Sequence, residues 1–242
     1  MDQFLNKSQD TILDYTSETS SLRKFFANVY TYMGIGLAIS GVVAYVFGHT
    51  EPLLRLLATE TGLTPLGYIV MFSPLVFTLF FARAIQRLST PLLAVVFIAF
   101  AVVMGMSMSF IFLAYTSTSI VQVFAITAVT FGVFALLGYT TKTDLTKLGM
   151  ILGIGFIVLI VVQLLSYFFF PSGQANYILA CVGVFLTVGL IAYHIQQLKR
   201  IGSGVEHGSM EATKLALIGA FTLYISFINL FMFLLRIFGK RE

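Results

Sequence analysis

His194, in the segment AYHIQQLKR, stands inside an apolar run long enough to cross a membrane, and no other residue of the Asp, Glu, Lys, Arg and His set shares that position. An ionisable side chain at such a place is costly and marks ion or proton handling by default. Four polar side chains can join it. Ser226 and Asn229 lie in LYISFINLF, and the hydroxyls of Tyr193 and Tyr224 flank the two segments. Together His194, Ser226, Asn229, Tyr193 and Tyr224 form a candidate gating or pH-sensing group. The simpler reading is equally available, a neutral imidazole that hydrogen-bonds a neighbouring helix and fixes packing. Gln122 and Gln163 read as further polar groups turned into a bundle.

Other chemistries lack the residues they need. A catalytic zinc site requires three converging protein ligands. The histidines are His49, His194 and His207, and the topology below puts His49 and His207 on opposite faces. Cys181 is the single cysteine, which excludes an intrachain disulfide or a two-cysteine redox pair. No carboxylate falls inside an apolar run, so paired-acid hydrolysis has no site. The expectation is a protein without enzymatic activity, metal or cofactor.

The elements that hold these residues follow from composition. Hydrophobic residues make up 58% of the 242 and charged residues 10%, with a mean hydropathy of +0.96. A soluble surface carries about 25% charged residues, so much of this surface faces lipid. The net charge of +4 lacks the dense basic cluster of a nucleic-acid binder. Residues 1–24 are polar and mixed in charge, and read as a retained cytoplasmic tail rather than a cleaved signal; residues 25–242 form the membrane domain.

About 20 helical residues cross a hydrocarbon core of about 30 Å. Phe25–His49 and Leu66–Ala82 each fit one span, the latter with Pro74 inside. Leu88–Thr141 holds 54 residues without Asp, Glu, Lys or Arg, too many for one helix, and divides at Tyr115–Ser119 (YTSTS). Leu148–Leu198, 51 residues, divides at Pro171–Asn176 (PSGQAN). Leu215–Leu235 completes seven spans of an all-α bundle. Lys7, Arg23, Lys24, Arg83, Arg87, Lys142, Lys147, Lys199, Arg200 and Lys214 fall on one face, with Asp144 among them, against Arg55 alone in the opposite loops. The cation-rich face is cytoplasmic, so the N-terminus is inside and the C-terminus outside. Arg236, Lys240 and Arg241 dissent from that rule. They leave a re-entrant last segment as the alternative to a full crossing. Small-residue pairs at Gly149/Gly153, Gly34/Ala38 and Gly132/Ala135 suggest close helix packing within the bundle. Gly34-Ile35-Gly36 and Gly153-Ile154-Gly155 lack the strand–turn–helix context of nucleotide motifs.

Several segments together resemble one family. LAYTSTSIVQVFAITAVTFGVFALLGYTTKTDLTKLG (Leu113–Gly149), RLSTP (Arg87–Pro91), IAYHIQQLK (Ile191–Lys199) and LYISFINLFMFLLRIFG (Leu223–Gly239) are similar, in order, to the transmembrane Bax inhibitor motif family in its bacterial branch. The resemblance implies an inner-membrane bundle in which six helices surround the seventh. It also implies one of two roles. One is a pH-influenced leak pathway for calcium or other cations; the other is binding and restraint of a membrane-anchored AAA protease through the N-terminal tail. The family's sensor is a pair of aspartates in the sixth and seventh spans. Here those positions are His194 and Ser226, which offer neither a shared proton between acids nor the hard oxygens that calcium prefers.

Overall fold

The computed structural model describes the backbone of residues 2–59, 62–84, 87–169, 173–205 and 208–241, with side chains outside 2–19, 79–84 and 167–169. Nine helices follow one another among these residues: α1 (Asp2–His49), α2 (Glu51–Leu57), α3 (Pro65–Ala84), α4 (Thr90–Met108), α5 (Ile111–Ala114), α6 (Ser117–Thr140), α7 (Thr146–Phe169), α8 (Gly173–Ser203) and α9 (Met210–Phe238). The strands Ala58–Thr59 and Gly62–Leu63 pair antiparallel between α2 and α3, with Gly62 at φ +131°.

Helix boundaries fall where the local chemistry directs them. Thr116 caps α6 by accepting the Ser119 N–H at 3.4 Å, as the hydroxyl-rich YTSTS turn suggested. Ser209 caps α9 by accepting the Ala212 N–H at 3.0 Å. Glu211 in the first turn of α9 and Arg236 in the last complement the helix dipole. The PSGQAN break is shorter than its composition suggests, because α8 already begins at Gly173.

Six helical segments are long and apolar enough to cross a bilayer: Ser20–His49, Thr90–Ala114, Ser117–Thr140, Thr146–Ser166, Gly173–Ser203 and Met210–Phe238. The protein is therefore an all-α, multi-pass membrane protein. Of α3, the apolar portion with described side chains is Pro65–Thr78, shorter than those six. Among the described side chains of α1, Leu22 and Phe25 are buried beside Gly202 of α8.

The core gathers on α9, where 16 of 29 residues are buried. It packs against α1, α4, α6 and α8. Phe97 and Phe100 of α4 meet Phe221 and Tyr224, while Phe124 and Phe131 of α6 meet Phe227. Glycines carry the closest approaches. A Cβ on Gly138 of α6 would run into the Ala192 backbone of α8, and one on Gly105 of α4 would meet the Ser40 carbonyl of α1.

The small-residue pairs expected from spacing are mostly elsewhere. Gly149 packs on the Tyr193 ring and Ala135 is buried, but Gly34, Gly132 and Gly153 have open space where a side chain would go, and Ala38 is exposed. Gln122 points outward from α6 rather than into the bundle. Spacing alone places small residues on a common face without saying which face meets protein. These contrasts set an expectation for thermal unfolding in detergent. Gly138→Leu should destabilise by about 1–3 kcal/mol through overpacking, whereas Gly34→Leu should stay within about 0.5 kcal/mol of the parent.

Candidate functional site

α8 and α9 bring His194 and Ser226 side by side. His194 Nδ1 lies 3.3 Å from Ser226 Oγ. The Ser226 hydroxyl donates to the Thr222 carbonyl at 2.9 Å, so its oxygen is left to accept. That arrangement puts a proton on Nδ1 and leaves Nε2 as the free acceptor. Ser226 is buried, while His194 and Asn229 are half-buried. All three line a cavity of about 290 Å³ together with Thr78 of α3, Thr187 of α8 and Thr222. The threonines escaped the sequence reading because single hydroxyls in apolar runs are common. Thr187 and Thr222 follow that pattern here, each bonding the carbonyl four residues back at 2.7 and 3.0 Å.

The two tyrosines go elsewhere. The Tyr193 hydroxyl accepts from Gln197 Nε2 at 2.6 Å, and its ring lies over Gly149 of α7. Tyr224 is fully buried on the opposite side of α9. Its hydroxyl sits 2.6 Å from Ser40 Oγ of α1, which in turn reaches the Ala101 carbonyl of α4 at 2.8 Å and the Gly36 carbonyl at 3.0 Å. One hydroxyl thus joins three helices. Ser40 was not foreseen, since a lone serine inside an apolar helix carries no spacing signal.

The loop charges assemble into a latch. Gln196, buried on α8, accepts the Leu145 N–H and donates to the Thr143 carbonyl, both at 2.8 Å. Lys199 donates to the Tyr139 carbonyl at 2.9 Å and lies 4.7 Å over its ring. Arg200 pairs with Asp144 at 2.8 Å. Hydrogen bonds from the Thr146 hydroxyl and backbone, then from Arg200, hold the Asp144 carboxyl well below the usual carboxylate range. Lys142 and Arg87 are exposed. The side chain of Arg83, the placement of His207 and the side chains of 2–19, which include most of the expected tail, lie outside the described residues. Among the described residues no group of three or more His, Cys, Asp or Glu could hold a metal ion.

The described residues form an all-α, multi-pass membrane bundle in which α9 is mostly buried. Comparison with known proteins gives this bundle a family. The family model described as "Inhibitor of apoptosis-promoting Bax1" matches residues 22–242. An uncharacterized protein of Rickettsia prowazekii is 36% identical over 224 residues, covering 91% of each chain. The inner membrane protein YbhL of Escherichia coli is 35% identical over 224 residues, covering 92% of this chain and 94% of its own. An uncharacterized membrane protein of Streptococcus pyogenes is 30% identical over 230 residues, covering 94% and 97%. The chain belongs to the Bax inhibitor-1 family.

The latch has a pH consequence. A carboxyl with a depressed folded value stabilises above its unfolded value near 3.9 and loses that contribution only as pH falls through the folded one. Asp144 therefore stays ionised across pH 5–8. Asp144→Asn should lower the melting temperature by a similar amount at pH 5 and pH 8. Gln196→Leu, which strips two bonds from the loop backbone, should destabilise by about 1–3 kcal/mol.

Proposed function

We propose that this protein is a bacterial inner-membrane bundle of seven crossings. α3 supplies the crossing beyond the six long helices, and α9 stands at the centre. It provides a cation leak pathway controlled at His194 and Ser226. The observation that carries this reading is a cavity inside the spans, against the largely buried α9, in whose otherwise apolar wall His194, Ser226, Asn229 and three threonines are set. The two positions that resemble the family's aspartate pair face each other at 3.3 Å. An inner-membrane location is favoured by the Escherichia coli relative, an inner membrane protein. The cation-rich end, with Lys142, Lys199 and Arg200, faces the cytoplasm by the loop-charge rule.

The residues present set the sign of the pH response. A carboxylate pair gains negative charge as pH rises, whereas an imidazole gains positive charge as pH falls through a reference value of about 6.5. Among the described residues no carboxylate lines this cavity to compensate it. At an effective dielectric of about 20, a unit charge about 4 Å from a passing monovalent cation raises its energy by about 4 kcal/mol. That corresponds to roughly three orders of magnitude in passage rate. Cation flux through the purified protein in liposomes should therefore fall on acidification. His194→Gln should remove the dependence, and His194→Asp with Ser226→Asp should introduce calcium sensitivity. A parent that conducts with the same pH profile as His194→Gln would reduce His194 to a packing residue.

A further inference from the structure

A second cavity, of about 540 Å³, lies at the other end of the bundle, between α7, the start of α8 and the end of α9. Asn176, which lines it, is 18 residues before His194 on α8, a separation of about 27 Å along the helix axis. The cavity is distinct from the His194 site, and its polar lining consists mainly of donors. Arg236 and Arg241 contribute two guanidiniums, Gln163 and Asn176 two amides, and Tyr115 a hydroxyl; among the described residues no carboxylate lines it.

Three features single these donors out. First, among the described residues neither guanidinium is in an ion pair; the two salt bridges present are Arg55–Glu51 and Arg200–Asp144. Second, Gln163 Nε2 is buried with no hydrogen-bond partner among the described residues. A buried donor left unsatisfied is costly, so a site that retains one has an acceptor to offer it. Third, the C-terminal segment is held in place. The Thr116 N–H donates to the Lys240 carbonyl at 3.1 Å, the Lys240 N–H donates to Ser119 Oγ at 2.9 Å, and Tyr115 and Arg241 form an antiparallel bridge. Arg241 is thus positioned by backbone pairing with the α5–α6 turn, while Arg236 projects from the last turn of α9 with its guanidinium 5.9 Å from the Phe233 ring centre.

We propose that this cavity binds a phosphate-bearing anion. Guanidiniums match phosphate oxygens in bidentate geometry, the Gln163 amide gains its missing acceptor, and the N-terminus of α8 adds partial positive charge at Gly173. The mouth is flanked by the exposed apolar side chains of Met71, Leu164 and Tyr177, which suit the glycerol and upper acyl carbons of an anionic phospholipid. Free phosphate offers the same oxygens without those carbons. The site also accounts for the three cations after the last span, which depart from the charge asymmetry of the other loops: two of them line an anion cavity.

Isothermal titration of the full-length protein in neutral detergent distinguishes the sources. The probes are dihexanoyl phosphatidylglycerol, dihexanoyl phosphatidylcholine and inorganic phosphate. The phosphatidylglycerol should bind the parent more tightly than the phosphatidylcholine, whose ammonium faces the guanidiniums. Arg236→Gln with Arg241→Gln should weaken it at least about tenfold, and Arg236→Lys with Arg241→Lys should retain most of the binding. Gln163→Leu, which keeps every charge, should weaken it several-fold. Phosphate binding as tight as the lipid's, and equally sensitive to the variants, would keep the site and assign it to a free anion. Absence of binding by both anionic probes, or binding unchanged in the glutamine double variant with native circular dichroism, would overturn the proposal.

Discussion

The hydrogen bond between Tyr224 of α9 and Ser40 of α1 shows in one place the constraint on the whole bundle. Lipid tails are as apolar as leucine, so helices in a membrane gain little from mere hydrophobic contact. They associate through close packing and through polar groups that have no water to turn to. Tyr224 is the largest fully buried side chain, and its hydroxyl has one place to go. Ser40 receives it at 2.6 Å and passes its own proton on to a backbone carbonyl, with the Ala101 carbonyl of α4 at 2.8 Å. The link needs α1 and α4 to approach closely, and Gly105 permits that by leaving no side chain against the Ser40 backbone. The edge-on contacts of Phe97 and Phe100 with the Tyr224 ring fill the space around the bond.

That anchoring divides α9 into two faces with different chemistry. Tyr224 ties one side to α1 and α4. Ser226, two residues on, falls on another side, toward α8, and Asn229 follows one turn later, as helical periodicity requires. The first face is satisfied within the protein. The second opens on a cavity in which the Asn229 amide and His194 Nε2 have room for a polar visitor. Rigid support behind a partly unsatisfied face is what a gate needs, because residues that must change partners cannot also hold the helices together. The latch formed by Gln196, Lys199 and Arg200 adds a second fixed point about one to two turns beyond His194.

Much of this was legible in the chain. Six of the seven expected spans correspond to long apolar helices, and the turn at Tyr115–Ser119 and its hydroxyl cap fall where composition puts them. Charge-free run lengths and cap chemistry are local, so they survive folding unchanged. His194 and Ser226 stand out as polar residues inside apolar spans, but their matched positions are legible only through resemblance, since no spacing rule connects residues on different helices. What failed was directional. Gly34, Ala38 and Gln122 were read as facing protein and face outward. In an all-apolar helix the inward stripe has no amphipathic signature. Tyr193 lies next to His194 in sequence and Tyr224 two residues before Ser226, but successive helical residues diverge by about 100°, and neither tyrosine lines the cavity. The cations at the end of the chain are an exception to the charge rule, and the fold sets two of them around one cavity.

The central claim is that the face of α9 bearing Ser226 and Asn229 meets water within the membrane. Thiol accessibility tests it most directly. In a Cys181→Ala background, Asn229→Cys and Val133→Cys can be compared in liposomes for their rates of reaction with a hydrophilic methanethiosulfonate. Val133 is half-exposed on the outer face of α6 and serves as the lipid-facing reference. The account predicts that Asn229→Cys reacts much faster and that His194→Gln does not abolish this reactivity. Equal inertness of the two thiols would mean a dry cavity, and would contradict the pathway at its source.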